Sequence, residues 1–564
     1  MKTSEIFKKN YDYIFPLIIW LLIFGKNIFS QLMFVDYVPD TYFTTIKTLI
    51  STNYAMVLGP IDILRLIFSL TGLLPYLFQF SILISMFISY FYIRKLFQDK
   101  QKTFSIVFSF IFFFNPFIYS RIMIGQVGVL IAYLFLPITI FYIFQFFESN
   151  LKTKSLLKLA IAITLCSLFS IHFFIINLII FLTSAFWLYF QKKFSIIKFL
   201  ILSITLFIIL ILLNSIWIQG ILSSETLKSI DSSHENFFSP KLSGNIPAVA
   251  KIIGMSGFWR ESAYSSTYNI LGPIGYLIIL ALLLILFLAG YYLSHDKKSK
   301  IFFTLFWLGL ILGTGIAHPY TRPFFNSLFN YLPFFNGFRD SHKLTSLIAL
   351  SYAYLISVFA LELKIKLKEL GFLPVIILIL FILFFTFPLL GLWNQIKPVS
   401  YPSSYNELNS FLDSKQITGK IIYLPWQTYL TYNWTINSSS DGRIAVPINN
   451  ILKYPVIIGS DVYGSETIET QKILDCLNNK STTCLEQNSV QFVINDKCSF
   501  YKDDKSSTFE SMNKAYSNSC LDVYKLNSKP KPTQQIPLRF LVTSIVSLIT
   551  FLVLIILLIT LKKR

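Results

Sequence analysis

FPLIIWLLIFGKNIFSQLMFVDYVPD, residues 15–40, runs from a long apolar segment into two carboxylates, Asp36 and Asp40, four positions apart. A helix that leaves hydrocarbon and at once meets acids marks a membrane boundary, so the rest of the chain must show how often it crosses and which side the acids face. The whole composition agrees with a membrane setting: 54% of the 564 residues are hydrophobic, 17% aromatic and only 13% charged, whereas soluble domains carry about a quarter charged residues. No small-residue cleavage site follows the first apolar run, so the sequence predicts a retained first helix rather than a cleaved signal.

A transmembrane helix needs about 20 apolar residues. On that length the sequence predicts an α-helical polytopic membrane protein of about twelve spans, at 13–32, 73–93, 103–119, 127–147, 155–171, 173–190, 194–217, 269–293, 300–316, 344–362, 371–391 and 538–561. Short cytoplasmic loops retain Lys and Arg. With the N-terminus inside, every even-numbered turn reads basic: Arg94, Lys95, Lys100 and Lys102; Lys152, Lys154 and Lys158; Lys192, Lys193 and Lys198; Lys297, Lys298 and Lys300; Lys364, Lys366 and Lys368; and the tail Lys562, Lys563 and Arg564. The expectation is a plasma-membrane protein with both termini cytoplasmic, and the net charge of +20 then reports topology rather than nucleic-acid binding.

On this topology residues 1–391 form the membrane module. Its outer loops are 34–72, 218–268 and 317–343, residues 392–537 form an extracytoplasmic domain, and 538–564 form a last span with a basic tail. In the domain the apolar runs shorten to strand length, as in GKIIYLPW, YPVIIGS, VQFVIN and LDVYKL, between Asn, Ser, Gly and Asp clusters, which predicts a small α/β or β domain. Four of the five cysteines, Cys476, Cys484, Cys498 and Cys520, fall in it. An even number on an outer domain predicts two disulfides. Sequence order favours Cys476 with Cys484 and Cys498 with Cys520, with the other connectivities open. Cys166, inside an apolar span, reads as packing, and Asn433, Asn437 and Asn479 begin glycosylation sequons.

The outer side gathers the polar residues. NPFIYSRIMIGQVGVL places Arg121 and Gln126 at a hairpin end, FSIHFFIIN places His172 at a break between spans, and LLNSIWIQG brings Asn214, Trp217 and Gln219. GFWRES adds Arg260 and Glu261, AHPYTRPFF adds His318 and Arg322, and FNGFRDSHKL adds Arg339, Asp340, His342 and Lys343. Each alone also fits a snorkelling or capping group. Asp40 fits an N-cap for a helix starting at Thr41, and Asp36 a loop acid. The stretches TIKTLISTNY and GPIDILRLIFSL read as interfacial helices. Because the positive-inside rule disfavours Arg121, Arg260, Arg322, Arg339 and Lys343 on this side, the set together argues for a polar cavity that receives an anion.

This arrangement resembles the GT-C superfamily of polyprenyl-phosphate-dependent glycosyltransferases, and the pieces NPFIYSRIMIGQ, LLNSIWI, FNGFRDSHKL and IIYLPWQTY resemble YfhO-like membrane proteins. The resemblance implies a polyprenyl-phosphate sugar donor, an extracytoplasmic glycan, lipid or protein acceptor, and a first-loop acid, Asp36 or Asp40, as general base or metal ligand. Arg339, Lys343, Arg322 and Arg121 would hold the donor phosphate, and Gln126, His172, Asn214, Trp217, His318, Asp340 and His342 would line the cavity. No Asp-x-Asp or Glu-x-Asp motif follows, so the resemblance admits a divalent cation, Mg or Mn, without requiring one. No phosphate-cradling Gly-rich loop points to a nucleotide-sugar donor. The rival readings are a lipid-linked sugar transporter, which would need midplane polar groups and broken helices in related halves, whereas these spans are nearly free of charge in their centres and no internal repeat is visible, and a noncatalytic scaffold in surface-glycan assembly.

Overall fold

The computed structural model describes residues 11–41, 60–98, 100–189, 195–223, 238–240, 246–261, 264–294, 296–332, 335–370, 372–391, 394–437, 442–454, 456–459, 468–509, 511–528 and 538–563. The stretch TIKTLISTNY, and with it any helix that Asp40 would cap, lies outside them.

All twelve expected spans are helical, but they differ in length. Among the described residues eight helices are long and apolar enough to cross a membrane: Leu74–Leu96, Val127–Glu148, His172–Tyr189, Ile196–Leu213, Thr267–Leu293, Lys298–Ala317, Ser341–Lys366 and Leu541–Leu561. A ninth forms if Lys102–Phe113 and Pro116–Ile124 count as one span bent by 42°. By length and composition, eight or nine of the twelve expected spans pass among the described residues. The first segment shortens to Phe15–Phe24 because Gly25, at φ +47°, ends it. Thr153–Phe169 and Leu373–Phe385 are 17 and 13 residues long. The bend has a local cause: the Asn115 side chain accepts from the Ile118 backbone N–H and caps a new helix, with Pro116 at its first position.

The basic turns meet at one end of the bundle. Arg94 and Lys102 both reach buried Asp12, at 2.9 and 3.4 Å. Lys100 pairs with Asp296, Lys364 bonds Thr103, Lys198 bonds the Asn150 carbonyl and Lys154 the Leu561 carbonyl. Asp36, Arg121, His172 and Asp340 collect at the other end.

Residues 394–528 build an α/β domain around a five-stranded sheet of order β4-β1-β5-β7-β6, with β1 Lys420–Leu424, β4 Val456–Ile457, β5 Val490–Asp496, β6 Lys514–Ser517 and β7 Leu521–Lys525. Strands β4, β1 and β5 run parallel, and β7 lies antiparallel to both of its neighbours, β5 and β6. Strand β1 is apolar throughout because both faces are covered: Ile421 and Tyr423 enter one core, Ile422 and Leu424 the other. A separate two-stranded ribbon pairs β2 Tyr429–Thr431 with β3 Arg443–Ala445. Disulfides join Cys476 to Cys484 and Cys498 to Cys520, and Cys166 is free and buried.

The domain is not a separate appendage. Met33 and Val38 of the first loop are buried in the same core as Ile421 and Tyr423. Backbone bonds run from Val399 to the Gln31 carbonyl, from Ala445 to Val35 and from Thr41 to Asn450. Residues 31–41 are thus threaded between the bundle and the sheet domain.

Candidate active site

The loop around Asp36 is a tight turn in which Phe34 and Tyr37 exchange backbone bonds. The Asp36 backbone N–H donates to the Ile124 carbonyl at 2.7 Å. That contact is possible because the helix Pro116–Ile124 ends on Gly125 in the left-handed conformation, φ +86°, where a Cβ would stand 2.6 Å from the Tyr37 Cβ. Glycine alone satisfies both demands.

The turn also aims Gln126. Its Nε2 donates to Asp36 Oδ2 at 3.1 Å, and its Oε1 accepts from Arg121 Nη1 at 2.7 Å. Arg121 is fully buried; it pairs with Asp340 at 3.0 Å, meets His342 Nδ1 at 2.9 Å and lies over the rings of Phe258 and Phe117. Lys343 continues the chain, with Nζ 3.7 Å from Asp340 and 3.1 Å from His172 Nε2, which also meets the Gly337 carbonyl at 2.7 Å. One connected network therefore joins Asp36, Gln126, Arg121, Asp340, His342, Lys343 and His172. Two consecutive 3-10 turns, Phe335–Arg339 and Ser341–Thr345, feed three of these side chains inward from neighbouring positions.

Two further arginines edge the network on aromatic supports. Arg339 lies over Phe238 and Arg260 over Trp259, and the Phe238 and Trp259 rings meet edge-to-face at 4.7 Å. Arg121, Lys343, Arg260 and Arg339 face two carboxylates, Asp36 and Asp340, so positive charge is in excess among the described residues.

The two carboxylates differ. Asp340 is buried, which opposes ionisation, yet Arg121 and Lys343 beside it hold its carboxyl down at about 2. It is a fixed counter-ion. Asp36 keeps solvent-accessible surface while protein crowds it on its other sides. That crowding raises its affinity for a proton, opposed by the bonds from Gln126 and Tyr429 and by the charges of Arg260 and Arg121. An accessible carboxylate with raised proton affinity has the properties of a general base.

Several expected residues lie apart from this network. Asp40 pairs with Arg65 at 2.9 Å and accepts from Asn450 Nδ2 at 2.7 Å. Asn214 and Trp217 form a packing knot: Asn214 Oδ1 accepts from Ser167 Oγ and Trp217 Nε1, and its Nδ2 donates to Thr164. His318 accepts from the Tyr320 N–H, and Arg322 is exposed with Nε on the Ile316 carbonyl. Glu261 is closed in a buried pair with Lys251 at 2.8 Å. The reading of Arg121 as a phosphate ligand is corrected: both its Nη atoms are taken by protein partners and it has no exposed surface.

Among the described residues no donor set for an Mg or Mn ion converges. Asp340 is held by Arg121 and Lys343, Asp40 by Arg65 and Asn450, and no three His, Cys, Asp or Glu side chains converge among the described residues. No step below passes through a metal.

The sequence reading missed Tyr429 and Phe258. Tyr429 ends the stretch IIYLPWQTY but touches Asp36 across 393 positions, a separation at which no periodicity links the two.

No family model matches the sequence, and no curated protein matches it. The fold does match solved structures. The arabinofuranosyltransferase AftD from mycobacteria superposes with a TM-score of 0.55 at 11% identity, covering 87% of this chain and 35% of that one. A point-mutant form of the same enzyme gives 0.56 at 11% identity, over 93% and 42%. This chain thus spans well under half the length of those proteins. The chain described here is a multi-pass membrane protein that shares the fold of that arabinofuranosyltransferase.

Proposed function

We propose that this protein is a membrane glycosyltransferase that moves a sugar from a polyprenyl-phosphate donor to a hydroxyl-bearing glycan, lipid or protein acceptor on the extracytoplasmic side. The observation that carries the reading is Asp36: an accessible carboxylate, each oxygen held by one donor, beside an excess of buried and half-buried cations. The fold shared with an arabinofuranosyltransferase supports the reaction class.

In this reaction Asp36 takes the proton of the acceptor hydroxyl as that oxygen bonds to the anomeric carbon. The bond from that carbon to the phosphate oxygen breaks, and its electron pair leaves with the polyprenyl phosphate. The transition state is oxocarbenium-like, and charge grows on the departing phosphate, where fixed cations stabilise it. Arg260, Arg339 and Lys343, at the edge of the network, are assigned that task, while Arg121 and Asp340 hold Gln126 and Lys343 in place.

The test is reconstitution in vesicles with a panel of polyprenyl-phosphate sugars, following loss of sugar from the donor. One donor is expected to be consumed, and Arg339→Gln or Arg260→Gln should weaken its use about 10-fold or more, since a charge-assisted contact contributes about 1.5 to 3 kcal/mol. Consumption of none of the panel, or unaltered donor use in both variants, would contradict the reading.

A further inference from the structure

The sheet domain reaches into the site through one side chain. In the ribbon β2–β3, Leu430 and Ile444 turn into the domain core, so Tyr429, one position along, turns the opposite way. Its hydroxyl donates to Asp36 Oδ1 at 3.0 Å, and the guanidinium of Arg443 on the paired strand lies 5.8 Å over its ring. The ribbon is fixed to the catalytic loop from the next residues on each side, through the Ala445 N–H to Val35 carbonyl bond at 2.8 Å. Farther along the same loop, Tyr401 donates to the Pro39 carbonyl at 2.7 Å.

We propose that Tyr429 is a positioning residue for Asp36, and that the C-terminal domain is therefore an integral wall of the active site rather than a separate module. The proposal rests on the reading of Asp36 as the base. Asp36 has two oxygens with one donor each: Gln126 from the membrane bundle on Oδ2 and Tyr429 from the domain on Oδ1. Together they fix the plane of the carboxylate, and only the remaining lone pairs can receive an acceptor proton. Removing Tyr429 frees rotation about Gln126 and withdraws a donor that favours the ionised form. The other charged groups facing Asp36 are Arg121 from the bent span, Arg260 from the second outer loop and Lys343 from the turn before Ser346. All three remain in place when Tyr429 loses its hydroxyl, so the change is confined to one contact.

The experiment compares wild type, Tyr429→Phe and Tyr401→Phe as full-length protein in vesicles. The first readout needs no activity: the pH dependence of carbodiimide labelling of Asp36, which requires the protonated acid, followed by peptide mass spectrometry. Tyr429→Phe should move the labelling midpoint upward by about one pH unit, as expected for loss of one charge-assisted bond. Tyr401→Phe, which loosens the same interface without touching Asp36, should leave it unmoved. The second readout is the pH profile of kcat/KM on the donor the wild type consumes. Its acid limb should shift by the same amount in Tyr429→Phe, with donor KM unchanged. An unmoved midpoint in Tyr429→Phe, or an equal shift in Tyr401→Phe, overturns the role of Tyr429. A shifted midpoint in a protein that consumes no donor instead leaves the contact standing and overturns the transferase reading.

Discussion

Gly125→Ala tests whether the position of Asp36 is set by the turn beneath it. A methyl group added there meets the Tyr37 Cβ at 2.6 Å, the Phe34 Cβ at 2.8 Å and the Tyr37 backbone nitrogen at 2.9 Å. Carbon atoms pack best about 3.5 to 4.0 Å apart, so the 34–37 turn must retreat by about 1 Å. Alanine also has to adopt φ +86°, a left-handed conformation that costs about 1 to 2 kcal/mol, and the steric overlap adds about 1 to 3 kcal/mol. A misplacement of about 1 Å at a reacting group lowers the rate about 100-fold. The assay pairs thermal unfolding in detergent with sugar transfer in vesicles. Gly72→Ala is the control, because Gly72 has φ +71° but nothing within 4 Å of an added Cβ; it should lose only the conformational part and keep full activity. A Gly125→Ala protein with wild-type melting and wild-type transfer would refute the argument that this contact places the acid.

Arg121→Met should destabilise the protein by about 3 to 5 kcal/mol, because it leaves buried Asp340 with Lys343 at 3.7 Å as its remaining ion-pair partner. Adding Asp340→Asn should restore part of that loss in a thermal double-mutant cycle. The Asp340 carboxyl lies near 2, below its ordinary 3.8, so its contribution to stability is present above about pH 4 and is lost as pH falls toward 2. Acid unfolding of Asp340→Asn should lack that component. Asp36 shifts the other way, so the acid limb of kcat/KM should lie above 3.8 and vanish in Asp36→Asn. In intact cells Cys476, Cys484, Cys498 and Cys520 should resist an impermeant thiol reagent until reduced and then label, and labelling before reduction would contradict the pairing.

The helices were legible because apolar runs of span length have few other readings, and the bend at Asn115–Pro116 is written in two residues that cap and start a helix. Lengths were less legible: Gly25 cuts the first run, which hydropathy alone carries on to residue 32. The one-sided placement of Arg121, His172, Asp340 and Lys343 followed from charge alternation. Their joining into one network depends on contacts 171 and 219 positions apart. The sequence left Asp36 and Asp40 as alternative first-loop acids, and the structure gives them different partners because the Phe34–Tyr37 turn directs Asp36 to Gln126 while Asp40 passes to Arg65 and Asn450. Asn214 and Trp217 looked like cavity residues for their polarity alone, yet that polarity is spent on Ser167 and Thr164 inside the bundle.

The most direct measurement is the transfer rate of Asp36→Asn beside Asp40→Asn on the same reconstituted donor. Asn keeps the size of Asp36 and removes the base, so turnover should fall by about 10² to 10⁴ with melting little changed. Asn at position 40 can still accept from Asn450 and weakens the partly buried pair with Arg65, which lies apart from the Asp36 network, so its turnover should match wild type. Full activity in Asp36→Asn, or loss confined to Asp40→Asn, would contradict the account.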